Sequence, residues 1–266
     1  MEAIKSFPLG QYIPGTSIMH NLDARAKLIA TFFLILLLFL IKLNISYLLF
    51  FIFIVIEILI SKIPLRYFFR SFKPLYFLVL FTFFIHLFFG EEGGKIFFRF
   101  GIIHVTEKGI YMAIFMSSRL IFLVMITSLL TLTTSVLDLA HALEDILKPL
   151  NYVKFPVHEF SMMMTIALRF VPTLLEETDK IIKAQRSRGA EIGKGKLVEK
   201  AKSLLPIIIP LFINAFRRAG ELAEAMEARG YRGAKGRSRY KKVYWGKKET
   251  FYLSIIFLFS LTLLLI

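Results

Sequence analysis

The sequence predicts an all-α, polytopic membrane protein with about five transmembrane helices and a cytoplasmic domain of about three amphipathic helices. Two observations support this fold class. Of the 266 residues, 56% are hydrophobic and 29 are Phe, which is more apolar surface than a soluble domain of this length can bury. A long block rich in both bases and acids, 136–249, then separates the last two apolar segments. The chain has no Cys, which excludes disulfides and thiolate metal sites.

Five apolar segments are candidate transmembrane helices. They are Ala26–Ile41, Asn44–Ile60, Pro74–Phe89, Gly109–Ser135 and Phe251–Ile266. At ~1.5 Å per residue the shortest reach only ~24 Å, against a hydrocarbon core of ~30 Å. The flanking Lys27, Lys42 and Lys248 can extend to the headgroups and make up the difference. We therefore expect each of the five segments to span the membrane.

The charge of the short loops predicts the orientation in the cell membrane. The segment Ser61–Lys73 carries four bases and no acid, whereas Gly90–Lys108 carries three of each. Because cytoplasmic loops are enriched in Lys and Arg, the first is predicted inside and the second outside. The N-terminus then lies in the cytoplasm and the C-terminus outside. The first 22 residues lack the continuous apolar core of a signal peptide, so we expect the N-terminus to be retained.

The charged block divides the chain into three predicted parts. These are 1–135 with the first four membrane helices, 136–249 as the cytoplasmic domain, and 250–266 as the last membrane helix. The block carries 22 bases and 13 acids, a net charge of +9. The positive-inside rule and contact with anionic lipid headgroups explain this charge, and we expect no nucleic-acid partner.

Three amphipathic helices are predicted inside the block, and the clearest apolar stripe runs at helical spacing from Phe212 to Met226. Two stretches, 160–175 and 203–216, are apolar enough to form a further pair of spans, which would make seven. That topology places the strongly charged segment 176–202 outside, against the positive-inside rule. Helices in or just below the inner membrane interface are therefore preferred.

The sequence contains no motif for catalysis, nucleotide binding or metal binding. G-x-x-x-x-G-K-[ST], H-E-x-x-H and G-x-S-x-G are all absent, and GAEIGKGK (189–196) has the wrong spacing for a phosphate loop. We therefore predict a chain that is not an enzyme, with no cofactor and no metal site of its own.

Three ionisable residues lie within the predicted spans, namely Glu57, His86 and Arg119. Such residues are candidate relays or substrate ligands of a stand-alone secondary transporter or channel. Glu57 lies near the cytoplasmic end, where it is expected to reach the interface, and His86 lies near the outer end. Arg119 is near the midplane without an acid at the same depth, which favours a structural role, facing either another subunit or a polar gap between helices.

A short phrase occurs twice, as AQRSRG (184–189) and AMEARG (225–230). Each has Ala, three residues, Arg and Gly, with a small residue before the Arg. Either phrase alone predicts the end of a helix, because Gly suits the left-handed position after the last turn and Arg complements the helix dipole. The repetition favours two matched docking tips, since a guanidinium at a helix end can form two hydrogen bonds with a partner's carboxylate.

These phrases belong to a wider resemblance that covers essentially the whole chain. The sequence resembles the transmembrane T component of energy-coupling factor (ECF) transporters. The matching stretches are YIPGTSIMHNLDARAKL (12–28), ALRFVPTLLEE (167–177), AQRSRGAE (184–191) and LFINAFRRAGELAEAMEARGYR (211–232). One departure is Ala24, where the family often has Pro.

The resemblance implies an energy-coupling subunit that works with other chains. Its expected partners are two ABC-type ATPase subunits, identical or different, and a membrane-embedded S component that captures a vitamin or a transition-metal ion. In the family, the Arg of each phrase docks into a groove of one ATPase; carried over, these are Arg188 and Arg229. Arg186 is an alternative to Arg188, which is preferred because it aligns with Arg229. The residues that would shape the two helix ends are Ala184, Ser187, Gly189, Ala225, Ala228 and Gly230.

Overall fold

The computed structural model describes residues 12–41, 45–89, 95–100, 103–153, 156–190, 192–193, 196–233 and 245–265. Helices and one hairpin make up the secondary structure of these residues. The α-helices are α1 (Ile18–Asn21), α2 (Ala24–Leu40), α3 (Ile45–Ser61), α4 (Leu65–Phe72), α5 (Tyr76–Phe89), α6 (Glu107–Thr133), α7 (Val136–Leu147), α8 (Val157–Ser187), α9 (Leu197–Ala228) and α10 (Lys247–Leu265). Short 3₁₀ turns span Lys73–Leu75 and Lys148–Val153, and the strands are β1 (Ile96–Phe100) and β2 (Ile103–Thr106).

The chain separates into two compact units. The bundle unit comprises Gly10–Ala142 with Val243–Ile266, and the helix-pair unit comprises Leu143–Lys242. The first boundary therefore lies within α7. The three parts predicted from the sequence, 1–135, 136–249 and 250–266, stay a prediction about membrane topology.

In the bundle unit, α6 is the central helix. It packs against α2, α3, α4 and α5, and α10 packs against α2 and α3. The core between them is aliphatic and aromatic; Phe50, Leu38 and Leu132 are almost fully buried, and Phe53 stacks on Phe259 with ring centres 4.2 Å apart. Along α5 no described side chain is buried. An apolar helix with no buried face suits a lipid environment, where its backbone groups are satisfied within the helix.

The helices confirm the predicted fold class. Four are long and apolar enough to cross a membrane: Leu65–Phe89 (continuous through the 3₁₀ turn), Glu107–Thr133, Val198–Ala228 and Lys247–Leu265. Each of the five predicted apolar segments falls on a helix of the bundle unit. Length and composition alone do not fix how many helices cross the bilayer, so the number of spans stays a prediction.

A small β-hairpin departs from the all-helical expectation. Strands β1 and β2 pair antiparallel, with Ile96 opposite Thr106 and Phe100 opposite Ile103. The segment Gly90–Lys108 is predicted to be an external loop, but its Ile, Phe, Val and Thr residues favour strands. The Thr106 hydroxyl accepts a hydrogen bond of 3.0 Å from the Gly109 N–H, so the second strand leads directly into the N-cap of α6.

In the helix-pair unit, two long helices contact each other. α8 has 31 residues and α9 has 32. Pro172 lies inside α8, and Pro206 and Pro210 lie inside α9. The prolines therefore lie within the two helices and do not mark their first residues. Together with α7, these helices are the three amphipathic helices predicted for the block.

Candidate functional site

The two repeated phrases form two helix ends with almost identical backbones. We call residues 184–189 tip 1 and residues 225–230 tip 2. At tip 1, Arg188 follows the last residue of α8 with φ −86° and ψ 8°; at tip 2, Arg229 follows α9 with φ −87° and ψ 7°. The next residues, Gly189 and Gly230, have φ of +83° and +75°. The predicted helix termination is therefore confirmed at both sites.

The same pair of hydrogen bonds closes each tip. At tip 1, the Gly189 N–H donates to the Arg186 carbonyl at 2.9 Å, and the Ala190 N–H donates to the Gln185 carbonyl at 3.0 Å. At tip 2 the corresponding distances are 2.8 Å and 3.0 Å, from Gly230 to Glu227 and from Tyr231 to Met226. This is the Schellman arrangement, in which two backbone N–H groups satisfy carbonyls that the helix leaves free.

The glycines are required by backbone conformation rather than by space. A Cβ atom added at Gly189 or Gly230 would meet no atom within 4 Å. Their positive φ, however, costs any other L-residue roughly 1–2 kcal/mol. The cap therefore fixes the direction in which the chain leaves the helix while it leaves the surrounding surface open.

All nine residues predicted for the docking site are exposed. They are Ala184, Arg186, Ser187, Arg188 and Gly189 at tip 1, and Ala225, Ala228, Arg229 and Gly230 at tip 2. Within the part of the chain that the structure describes, the guanidinium groups of Arg188 and Arg229 have no hydrogen bond or ion pair. Each capped helix end therefore carries an arginine whose guanidinium is exposed on the surface of the chain.

The tips lie on either side of a polar contact between the two helices. Glu177 accepts a hydrogen bond of 2.8 Å from Asn214 Nδ2, and Arg218 Nη2 lies 3.2 Å from its second carboxylate oxygen. That ion pair is close but is not aligned as a hydrogen bond. Nearer tip 1, Gln185 Nε2 donates to the Pro206 carbonyl at 3.4 Å. Residue numbers rise along α8 as they fall along α9, so the helices run in opposite directions at this contact.

Glu177 and Arg218 also occupy equivalent positions of the sequence repeat that contains the two tips. They are 41 positions apart, as are Arg188 and Arg229, so each Arg lies 11 residues beyond the contact on its own helix. At ~1.5 Å per residue this is ~16 Å of helix. Because the helices run in opposite directions at the contact, the two tips extend away from it in opposite senses.

The N-terminal stretch of the resemblance forms a third polar arrangement, in the bundle unit. We call residues 12–28 the N-terminal clasp. Ser17 caps α1 and its hydroxyl lies 2.6 Å from His20 Nδ1, while His20 Nε2 lies 3.0 Å from the Ile13 carbonyl. Asp23 caps α2 and binds the Arg25 guanidinium at 2.7 Å. These side chains are therefore satisfied within the clasp itself.

Two bonds attach the clasp to the C-terminal end of α6. The Ile13 N–H donates to the Leu132 carbonyl at 3.0 Å, and Lys27 Nζ donates to the Thr133 carbonyl at 3.0 Å. Lys27 is only 6% exposed, so the prediction that it extends to the headgroups is wrong. Its ammonium group instead satisfies a free carbonyl at the negative end of the α6 dipole.

The three ionisable residues of the predicted spans, Glu57, His86 and Arg119, each contact other groups of the bundle unit. Glu57 is 5% exposed and accepts a hydrogen bond of 2.8 Å from the Tyr252 hydroxyl, so the expectation that it reaches the interface is wrong. His86 Nδ1 lies 2.8 Å from the Thr82 carbonyl, one turn earlier. The Arg119 guanidinium carbon lies over the rings of Phe115 and Phe39, 4.3 and 5.2 Å from their centres.

Lys27, Glu57 and Tyr252 line one small cavity in the bundle unit together with Thr31 and Thr133. Its volume is about 10 Å³, close to the smallest space that holds one water molecule. It is too small for a vitamin, and its polar groups bond mainly to one another. The Lys27–Thr133 bond connects α2 to α6, and the Tyr252–Glu57 bond connects α10 to α3.

Comparisons with known proteins cover nearly the whole chain. A family model described as "Cobalt transport protein" (CbiQ) matches residues 15–240. A protein of Ruminiclostridium cellulolyticum is 46% identical over 256 residues, which cover 96% of this chain and 95% of the relative. One of Brevibacillus brevis is 49% identical over 240 residues, 90% of each chain, and one of Bacillus subtilis is 44% identical over 257 residues, 96% of this chain and 97% of the relative.

All three relatives carry the name "Energy-coupling factor transporter transmembrane protein EcfT". The family match spans the clasp from Gly15 onward and both tips. The resemblance drawn from these stretches is therefore confirmed. The chain belongs to the family of transmembrane T components of energy-coupling factor transporters.

Proposed function

We propose that this chain couples ATP hydrolysis on two other subunits to substrate uptake. Two cytoplasmic ABC-type ATPase subunits bind the tips, and a membrane-embedded S component carries a vitamin or a transition-metal ion. The observation that supports this most strongly is the pair of matched caps, each presenting a free arginine. The relatives' name, which includes "energy-coupling", supports the same role.

The tips suit docking because their geometry is set before a partner binds. A capped helix end holds the backbone beside Arg188 and Arg229 in one conformation, so little backbone entropy is lost on association. A guanidinium has a planar set of donors that matches a carboxylate with two parallel bonds. We therefore assign the contacts to carboxylates in one groove of each ATPase, with the small Ser187 and Ala228 allowing close approach.

The long helices would carry motion from the ATPases to the membrane. Closure of the ATPases on ATP moves the two docked tips relative to each other, and each tip moves a helix of more than 30 residues. α9 also has an exposed apolar stripe that includes Phe212, Ile213 and Phe216, which are 61%, 62% and 69% exposed. We assign this stripe to the S component, since exposed apolar surface of this kind marks interaction sites.

This function requires both tips on the cytoplasmic side, and the topology can be tested directly. We propose a cytoplasmic N-terminus, a cytoplasmic domain at 136–249 and an external C-terminus. Val198–Ala228 is long and apolar enough to span a membrane, and if it did so the tips would lie on opposite sides. Because the chain has no Cys, single cysteines at Ala190 and Ala228 report sidedness. Labelling of both only from the cytoplasmic side is expected, and labelling of either from outside contradicts the proposal.

Reconstitution with ATPases and an S component tests the coupling role. We expect Arg188→Glu and Arg229→Glu each to reduce ATP-dependent uptake by at least about tenfold, because each places two carboxylates together at a buried contact. Arg232→Glu is the matched control, since Arg232 is an exposed base two residues beyond tip 2. Wild-type uptake by both tip variants would show that the assignment is wrong.

The alternative, a stand-alone secondary transporter or channel, makes a different prediction. It requires substrate flux in liposomes that contain this chain alone, together with sensitivity to Arg119 or Glu57. The internal hydrogen bond of Glu57 and the ring contacts of Arg119 favour structural roles for both. We expect no flux without the ATPases.

A further inference from the structure

Four exposed bases lie between the end of α3 and the beginning of α5. We call them the basic surface, and they are Lys62, Arg66, Arg70 and Lys73. Within the described residues, none of their side chains has a hydrogen bond or an ion pair. The segment 61–73 contains no acid, and α6, on which α4 packs, has its only acid at its first residue, Glu107. The helices around the basic surface therefore provide it with no anion.

The bases of α4 lie beside an exposed apolar strip. Phe68 is buried against the bundle unit, and Arg66 and Arg70 lie one turn apart on the opposite side of the helix. Next to these bases, Leu65 and Phe69 are also one turn apart and are 55% and 71% exposed. A helix with neighbouring basic and apolar faces is typical of a membrane interface.

The apolar strip continues along α5. Tyr76 and Phe77 are 68% and 77% exposed, and Leu65–Phe89 is long and apolar enough to cross a membrane. The basic surface therefore lies at one end of a lipid-compatible helix. A molecule with an anionic head and apolar chains would match both parts of this surface.

Lys62 gives a second, independent indication of a ligand. Its φ is 54°, and within the described residues every other residue with positive φ is a glycine. Its N–H donates to the Leu59 carbonyl at 3.1 Å, which closes the last turn of α3. A residue with a Cβ is strained in this conformation by more than an exposed base gains from the helix dipole, and glycine is the usual residue here. Helix termination therefore does not explain a lysine at this position.

The positive-inside rule does not explain the arrangement either. It accounts for an excess of bases in a loop on the cytoplasmic side. It requires neither a strained backbone at Lys62 nor an apolar strip beside Arg66 and Arg70. These two features indicate a specific contact in addition to a general charge bias.

We propose that the basic surface binds the headgroup of an anionic membrane phospholipid, whose acyl chains lie along the apolar strip. The bases bind the phosphate, and Leu65, Phe69 and Phe77 contact the chains. A free phosphate would leave the apolar strip uncovered, so a lipid matches the whole surface. The inference does not depend on docking of the tips, because this site lies in the bundle unit.

The same surface disfavours zwitterionic lipids. A choline or ethanolamine headgroup carries a cation, which the four bases repel, whereas a glycerol headgroup leaves the phosphate as the net charge. Selection of this kind depends on repulsion of the wrong ligand as well as attraction of the right one. We therefore expect phosphatidylglycerol to bind in preference to phosphatidylcholine.

Fluorescence quenching by spin-labelled lipids tests the proposal. A fluorophore is attached to Phe77→Cys in the full-length chain, which is otherwise free of Cys. The chain is placed in phosphatidylcholine nanodiscs, alone and together with the ATPases and an S component. We expect spin-labelled phosphatidylglycerol to bind beside the fluorophore at least about tenfold more strongly than spin-labelled phosphatidylcholine. Phe257→Cys, at a side chain of α10 that is 63% exposed, is the matched control and should show no preference.

Neutralising the bases should remove the preference. With Arg66→Gln, Arg70→Gln and Lys73→Gln together, the two lipids should bind within about twofold of each other. The matched control removes the same charge from three exposed bases elsewhere, namely Lys200→Gln, Lys202→Gln and Arg232→Gln. It should keep the preference for phosphatidylglycerol.

Lys62→Gly separates lipid binding from folding. The substitution relieves the strain at φ 54° and removes one base. We expect the unfolding midpoint not to fall, while the preference for phosphatidylglycerol decreases about threefold. An unchanged preference in this variant would contradict the role given to Lys62 in the lipid site.

Three results would overturn the proposal as a whole. The first is equal quenching by the two lipids at Phe77→Cys, or a preference that survives neutralisation of Arg66, Arg70 and Lys73. The second is loss of the preference in glycerol phosphate but not in chloride of the same ionic strength, which would identify a free phosphate as the ligand. The third is loss of quenching by both lipids in the complete complex, which would show that a protein subunit covers the surface.

Discussion

The N-terminal clasp and the two tips resemble the same family, yet their polar groups are used in opposite ways. In the clasp, Asp23 caps a helix and Lys27 is buried against the Thr133 carbonyl. At the tips, Arg188 and Arg229 are exposed and have no partner within the described residues. The first set of side chains stabilises this chain. The second set is available to another chain.

This difference separates residues that the fold explains from residues that need another explanation. A buried polar group must find its partner inside the chain, since an unpaired one costs ~1–3 kcal/mol. An exposed arginine has no such requirement, and surface changes of this kind usually alter stability by less than ~0.5 kcal/mol. Changes in the bundle unit should therefore act on unfolding, and changes at the tips on association.

The largest expected effect on stability is at Lys27. Lys27→Glu places a buried carboxylate against the Thr133 carbonyl and the negative end of α6. An uncompensated buried charge costs ~3–5 kcal/mol, so the thermal unfolding midpoint in detergent should fall sharply. Lys108→Glu, at the exposed N-terminal end of the same helix, is the control and should leave the midpoint nearly unchanged. An equal, small effect of both variants would contradict the role assigned to the clasp.

An intermediate effect is expected at the Glu57–Tyr252 pair. Tyr252→Phe removes the hydroxyl that donates to Glu57 at 2.8 Å and leaves a buried acceptor unpaired, which costs ~1–3 kcal/mol. Glu57→Gln keeps an acceptor at this position and should cost less. Unfolding in detergent measures both, with Tyr76→Phe, on an exposed side chain, as the control. Loss of uptake in Glu57→Gln without loss of stability would favour a transport role for this carboxylate.

The smallest effect on stability is expected at the tip glycines. Gly230→Ala strains a residue at φ +75° by roughly 1–2 kcal/mol, confined to the helix end. The Tyr231 amide, which closes the cap, should exchange its hydrogen about tenfold faster, while the unfolding midpoint of the chain changes little.

Gly220→Ala is the matched control for the tip glycine. Gly220 lies inside α9 in ordinary helical conformation, and an added Cβ would meet nothing within 4 Å. Ala is favoured over Gly there by roughly 0.5–1 kcal/mol. Slower exchange in Gly220→Ala and faster exchange in Gly230→Ala would separate the cap from general helix stability, whereas slower exchange in both would argue against the cap.

Much of the fold could be predicted from the sequence because its signals are local. Apolar runs locate the helices of the bundle unit, and Ala-x-x-x-Arg-Gly locates both caps. The hairpin at Ile96–Thr106 differs from the predicted loop because its Ile, Phe, Val and Thr residues favour strands.

The long-range contacts could not be predicted from the sequence. Tyr252 is 195 positions from Glu57, and depth along a helix does not show which face a carboxylate occupies. Lys27 was expected to reach the headgroups, but it meets a carbonyl 106 positions away. In both cases, packing between distant helices decides whether an ionisable group is exposed or buried.

The affinity of this chain for the ATPase pair tests the central claim most directly. It should be measured in detergent at fixed salt for the wild-type chain and for Arg188→Glu combined with Arg229→Glu, with the unfolding midpoint recorded for each. Since each reversed contact costs ~2–5 kcal/mol, affinity should fall at least about 100-fold at an unchanged midpoint. Unchanged affinity of the double variant would contradict the assignment of the two tips as the docking sites.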